Sequence, residues 1–179
     1  GTLTLNKQTA KLIYLPCGTQ YSVSGEGYSG EGQIFKDNEP VNLDNRDHVL
    51  LDVAKAIAIV NEASLHKTEN DWQHDGDTVD VALLALAYKK GLQPHALKED
   101  IEIISEIPFE SENKFSAVFY KHDGKAKVSV KGALESVLAF SDTMISHDNK
   151  IVAIEKNVLS DHVVELALSL VQHLWRCVK

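Results

Sequence analysis

The dipeptide Asp123-Gly124 constrains this chain more than any other feature. It sits between Phe115 to Tyr120 and Lys125 to Val130, two strand-like stretches. An Asp-Gly pair supplies the positive backbone angles of a tight turn, so the segment reads as an antiparallel hairpin. The hairpin fixes the flanking runs: Pro108-Phe109-Glu110-Ser111-Glu112-Asn113-Lys114 before it, Lys131-Gly132-Ala133-Leu134-Glu135 after it. It brings Phe109, Lys114 and Lys131 into one neighbourhood. An aromatic face with two ammonium groups suits a base and a polyphosphate, which makes ATP the first ligand to consider.

The rest of the chain mixes strands and helices. Thr4 to Leu15 reads as an opening strand broken by Pro16 and Gly18, and Gln20 to Ser24 as a second. Gly25 to Asn45 is rich in turn residues. From about Asp47, apolar residues at Val49, Leu50, Val53, Ala54, Ile57, Ala58, Val60 and Ala63 recur close to helical spacing, which predicts a helix with Asn61-Glu62-Ala63 near its end. His66 to Asp77 is polar and reads as a loop. Thr78 is a plausible N-cap, with Asp77 an equal candidate, for a helix ending at Gly91, where Lys89-Lys90 suit the negative end. Ile101 to Ile107 is a strand leading into Phe109. A short helix starts at Gly132, and Ser160 or Asp161 caps a last one running toward Trp175. This order predicts an α+β fold, an antiparallel β-sheet flanked by helices, in a single domain spanning residues 1–179.

Composition removes several function classes. The formal net charge of -8 argues against a nucleic-acid binder or a membrane-surface binder, which need a basic face. No apolar run approaches the ~20 residues of a membrane span. The cysteines, Cys17 and Cys177, lie far apart and read as reduced thiols. The eight histidines are scattered without ligand spacing, so no metal site is expected. Gly25-Glu26-Gly27-Tyr28-Ser29-Gly30 has dinucleotide-fingerprint spacing, but that fingerprint must open a helix, and Gln33 to Pro40 is loop-like. There is no Walker lysine loop and no Ser-His-Asp set.

Several stretches, in order, resemble the nucleotide-binding domain of P-type cation-transporting ATPases. Gly1-Thr2-Leu3-Thr4 is similar to the tail of the phosphorylation motif Asp-Lys-Thr-Gly-Thr-Leu-Thr. Tyr21-Ser22-Val23-Ser24-Gly25-Glu26-Gly27-Tyr28 resembles Tyr-x-Val-x-Gly-x-Gly-Tyr. Asn61-Glu62-Ala63 also looks like a family feature. Gly76-Asp77-Thr78-Val79-Asp80-Val81-Ala82-Leu83 resembles Gly-Asp-Pro-Thr-Glu-x-Ala-Leu. The runs at Phe109 and Lys131 resemble Pro-Phe-x-Ser-x-x-Lys and Lys-Gly-Ala-x-Glu.

The resemblance implies roles for these residues. Phe109 stacks on adenine. Lys131 lies deep in the ATP pocket, with Gly132 and Ala133 leaving room for ligand. Lys114 lies near the adenosine or the phosphates, and Asp80 faces the adenine amino group. Arg176, in Leu174-Trp175-Arg176-Cys177-Val178, resembles an arginine that reaches the phosphates. The chain departs from the pattern at Val79, where threonine is usual, at Leu134, where proline is common, and at Ser111 to Asn113, where arginines are missing. A lysine that only lines a pocket contributes little packing, so Lys131 is expected to be removable with folding intact.

The resemblance further implies a fragment of the cytosolic loop of an integral membrane protein of the calcium- or cation-pumping type. It would bind ATP, with Mg²⁺ accompanying the nucleotide, and work beside phosphorylation and actuator domains of the same polypeptide. The phosphorylated aspartate would lie before Gly1, so this chain has no catalytic residue and is expected not to hydrolyse ATP alone. It makes no direct membrane contact. The alternative is a regulatory or interaction domain that kept the fold and lost the nucleotide, favoured by Val79 and the missing arginines. An independent kinase-like enzyme fits least, because no catalytic base or metal set is visible.

Overall fold

Strand pairing organises the molecule, and every pairing among the described residues is antiparallel. The computed structural model describes residues 8–41, 48–161 and 163. Gly1 to Thr4, Arg176 and Cys177 lie outside them, as do the start of the opening strand and the C-terminal part of the last helix.

The chain opens with β1 (Leu12–Tyr14), β2 (Gln20–Val23), β3 (Ile34–Lys36) and β4 (Glu39–Pro40), a sheet in sequence order. Helix α1 (His48–Ile59) follows, then β5 (Ser64–Lys67) and β6 (Trp72–Asp75), a separate hairpin. Next come α2 (Thr78–Lys89) and α3 (Pro94–Glu99). The strands β7 (Glu102–Glu110), β8 (Phe115–His122) and β9 (Lys125–Gly132) form the third sheet. The short helix α4 (Leu134–Ala139) leads to the ribbon of β10 (Thr143–Ile145) and β11 (Ile151–Ala153), and residues 156–161 are helical. The α+β architecture expected from the sequence is the one observed, with its strands in four sheets among the described residues.

The predicted hairpin is β8–β9. Asp123 and Gly124 have φ of 51° and 72°, the paired left-handed geometry of a type I′ turn. Pairing runs from His122↔Lys125 to Phe115↔Gly132, longer at the open end than the apolar alternation suggested.

Helix α2 is the centre of the packing. Its Val-Ala-Leu-Leu-Ala-Leu-Ala run is apolar on nearly every side, and buried residues occur all round it, as expected of a helix enclosed by neighbours. Leu86 joins the core under β1–β3 with Leu50 of α1. Val81, Leu84 and Ala85 pack against Tyr28 and Leu65. A third cluster, Ile59, Val60 and Val118, seals α1 to β8. The N-cap of α2 is Asp77 rather than Thr78: its carboxylate accepts the Val79 N–H at 2.9 Å. At the other end Gly91 takes φ of 88°, and the Leu92 and Gly91 N–H groups bond back to Ala87 and Tyr88, closing a Schellman cap.

Other local readings are corrected. His66 to Asp77 is no loop: it contains the second half of β5 and all of β6, held by backbone pairing and by Trp72 edge-on to Tyr88 at 5.0 Å. Helix α3 was not expected, and Pro94 at its start is the favourable first-turn proline. The short helix begins at Leu134, because Lys131 and Gly132 still belong to β9. Ser160 is inside a helical turn, its hydroxyl donating to the Lys156 carbonyl, and so is not a cap. After the glycines of residues 25–32 the chain enters β3, so the dinucleotide reading stays rejected. No helix among the described residues is long and apolar enough to cross a membrane.

Candidate functional site

The site grows from the place where α1 ends, at Ile59 rather than near Ala63 as the periodicity predicted. Val60 stays in the core, and the backbone then turns through Asn61-Glu62-Ala63 between α2 and the third sheet. Asn61 is 5% exposed and stitches this turn: its amide donates to the Asp80 carbonyl at 2.9 Å and its oxygen accepts the Ala63 N–H at 3.0 Å.

Glu62 is the bridge. Its backbone N–H donates to Asp80 Oδ2 at 3.1 Å, and its carboxylate Oε1 accepts the Phe109 N–H at 3.1 Å. Asp80 Oδ1 in turn holds the Lys131 ammonium. One hydrogen-bonded chain therefore links Phe109, Glu62, Asp80 and Lys131, residues contributed by β7, the α1–β5 turn, α2 and β9. Asp80 is buried because it lies in the first turn of the enclosed helix, and there it also faces the positive helix end. Lys131 reaches it because Lys131 stands opposite Ser116, on the helix-facing side of β9. The Ser116 hydroxyl is buried and has no hydrogen-bond partner.

The other expected residues surround this chain. Phe109 is 52% exposed. Lys114 takes φ of 57° in the turn between β7 and β8, its amide bonded to the Glu110 carbonyl, its ammonium 3.6 Å from Glu135. Its carbonyl accepts the Ala133 N–H at 2.9 Å, so the Phe109 run and the Lys131 run are tied directly. Gly132 leaves no room for a side chain: a Cβ there would lie 2.5 Å from the Lys114 carbonyl oxygen and 2.6 Å from Phe115 Cβ. Its smallness serves this close approach of strands. Val79 points outward beside Asp80 and is 46% exposed.

Two participants were not singled out in the sequence. Glu62 carried a resemblance but no role, and only its position between two hydrogen-bonding partners reveals one. Lys98, on the unexpected α3, donates to the Asn61 carbonyl at 2.8 Å. Burial pushes its ammonium below the ordinary 10.5, while Glu106 and Asp80 pull the other way. The Pro94 start of α3 was the signal that could have found it.

Chemically, the arrangement offers an exposed aromatic face, lysines at Lys131 and Lys114, and a buried carboxylate. It suits binding of a flat group joined to an anionic one. Among the described residues, no group of three or more His, Cys, Asp or Glu side chains could hold a metal ion.

Comparison with known proteins gives the chain its family. Residues 50–177 match the family described as P-type ATPase, cytoplasmic domain N. The chain is 32% identical over 171 residues to the cation-transporting ATPase pma1 of Synechocystis sp., covering 93% of this chain and 19% of that protein. It is 28% identical over 134 residues to a calcium-transporting ATPase of Bacillus subtilis, covering 74% of this chain and 15% of the relative. It is 33% identical over 142 residues to the calcium-transporting ATPase type 2C member 2 of Mus musculus, covering 77% and 14%. The chain thus spans a fifth or less of the length of these curated relatives.

Proposed function

Because this chain belongs to the P-type ATPase cytoplasmic N-domain family, we propose that it binds ATP for a cation-transporting ATPase and presents it to an aspartate outside this chain. The observation that carries this reading is the hydrogen-bonded chain from Phe109 through Glu62 and Asp80 to Lys131. It holds a stacking ring and a phosphate-seeking ammonium in fixed relation, on four different segments.

Each residue then has a task. Adenine stacks on the exposed Phe109 ring, a contact worth ~1–3 kcal/mol in nucleic-acid systems. Glu62 fixes the backbone of Phe109. Lys131 and Lys114 draw the phosphates, which arrive as the Mg²⁺ complex, and Arg176 joins them from outside the described residues. Asp80 accepts from the adenine amino group only when Lys131 yields its carboxylate, so phosphate and Asp80 compete for one ammonium. The domain works in the cytosol beside phosphorylation and actuator domains of a membrane-embedded polypeptide, and the isolated chain turns over no ATP.

Titration by NMR tests this. ATP should bind with a dissociation constant on the order of 0.1–1 mM, with shifts centred on Phe109, Glu62 and Lys131. Phe109→Ala should weaken ATP and adenosine alike. Adenosine binding that survives Phe109→Ala would remove the stacking role. Phosphate release by the purified chain that disappears on a point mutation in it would overturn the claim that it lacks turnover.

A second reading has its own observation. Lys131 and Asp80 already satisfy each other, and Val79 stands exposed where threonine is usual. That closed pair suits an N-domain-like regulatory module without nucleotide. Absence of any ATP shift at about 10 mM, about four orders above a micromolar dissociation constant, would favour it.

A further inference from the structure

A second opening lies farther along the same face of the third sheet. Residues two apart on a strand share a face, so Tyr120 and His122 of β8 point the same way. Lys127 stands directly opposite Tyr120. On α1, Lys55 is one turn before Ile59 and therefore lies above it. Together with Leu97 of α3 these residues line a cavity of about 320 Å³. Its floor is apolar: Ile59 is 4% exposed and packs with Leu97 and Tyr120. Its lining is cationic at Lys55 and Lys127, with His122 beside them and Asp52 the one carboxylate. His122 faces Asp123 at 3.2 Å, but among the described residues neither Lys55 nor Lys127 is held in an ion pair. In a chain of net charge -8, two unpaired lysines over one apolar cavity are a marked local excess.

We propose that this cavity binds a phosphomonoester carried on an apolar or aromatic group. The floor takes the body of the ligand, and the ammonium groups take the dianion through charge-assisted hydrogen bonds. The position is separate from the candidate nucleotide site. Lys127 and Lys131 are four residues apart on β9, about 13 Å along the strand, and the buried Ser129 lies between them under the end of α1. The proposal stands whether or not ATP binds at Phe109.

Phenyl phosphate and inorganic phosphate are the probes, added to the full chain and followed by NMR. Phenyl phosphate should move the Leu97, Tyr120 and Lys127 signals and bind at least about fivefold more tightly than inorganic phosphate, since the ring gains apolar burial. The double variant Lys55→Gln/Lys127→Gln should weaken it about tenfold or more, with an unchanged melting temperature. Phe109→Ala should leave it unchanged. Equal binding of the two probes would overturn the amphiphilic assignment. Equal binding by the double variant, shifts centred on Phe109 and Lys131, or no shift at about 10 mM would overturn the site.

Discussion

Lys131→Met tests the central pair. The Asp80 side chain is 8% exposed and that of Lys131 19%, so the pair is largely out of water. Removing one partner of a buried pair costs ~3–5 kcal/mol, because the remaining charge is left unpaired. Here the Glu62 N–H stays on the other carboxylate oxygen and the lysine end keeps some solvent, which points to the lower limit, about 3 kcal/mol. With a urea slope of about 2 kcal/mol per molar, the midpoint should fall by about 1.5 M. This reverses the expectation that Lys131 is removable with folding intact. Adding Asp80→Asn removes the orphaned charge and keeps an oxygen for the Glu62 N–H, so the double variant should recover about 2 kcal/mol or more. The assay is urea unfolding of parent, both singles and the double, followed by tryptophan fluorescence. A Lys131→Met midpoint within about 0.3 M of the parent, or a double variant no more stable than Lys131→Met, would refute the reasoning.

Other changes probe the frame. Gly132→Ala should cost about 1–3 kcal/mol from overlap with the Lys114 carbonyl and Phe115, whereas Gly124→Asn, at a left-handed turn position with open space, should stay within about 0.5 kcal/mol; thermal unfolding compares them. Glu62→Ala should weaken ATP about fivefold, the worth of one hydrogen bond, by freeing the Phe109 backbone; calorimetry that finds no change would detach Glu62 from the site. Burial and the neighbouring Lys11 hold the Lys89 ammonium below its ordinary 10.5, so the unfolded chain binds more protons in the window between the folded value and 10.5, and stability should rise with pH there. Lys98 adds the same sign, and Tyr88, raised by burial, opposes it only above pH 10.0. Lys89→Met should flatten part of that rise in urea midpoints, and an unchanged slope would count against it.

The legible parts of the fold were those with a strong local signal. Asp123-Gly124 announced its turn, and the cap candidates at Asp77 and Thr78 with Lys89-Lys90 before Gly91 announced the helix α2. The β5–β6 hairpin was illegible because its strands are mostly polar and exposed, with Leu65 the buried exception. Its order comes from tertiary contacts such as the Tyr88 hydroxyl on the Leu65 carbonyl at 2.9 Å. At the site, the sequence nominated Phe109, Lys114, Asp80 and Lys131. It could not show that Asp80 and Lys131 face each other across 51 positions, nor that Glu62 ties Phe109 to both. Those facts depend on how α1 ends against α2, which no periodicity encodes.

The strand β7 has a consequence for how this protein behaves in a tube. Among the described residues it pairs with β8 on one side only, and it is exposed along almost its whole length. Open backbone of that kind invites a strand from another molecule. Glu102, Glu106 and Glu110 set negative charge along it, Pro108 lacks an amide to offer, and the ladder is interrupted between Ile103 and Ser105 and again between Ile107 and Glu110. Intermolecular pairing is thereby blocked at neutral pH by charge as much as by shape. Ile103, Ile104 and Phe109 stand exposed on the same strand, so the apolar surface that a second strand would cover lies among these guards. Replacing Glu106 and Pro108 by valine should therefore turn a dispersed protein into one that self-associates through β7.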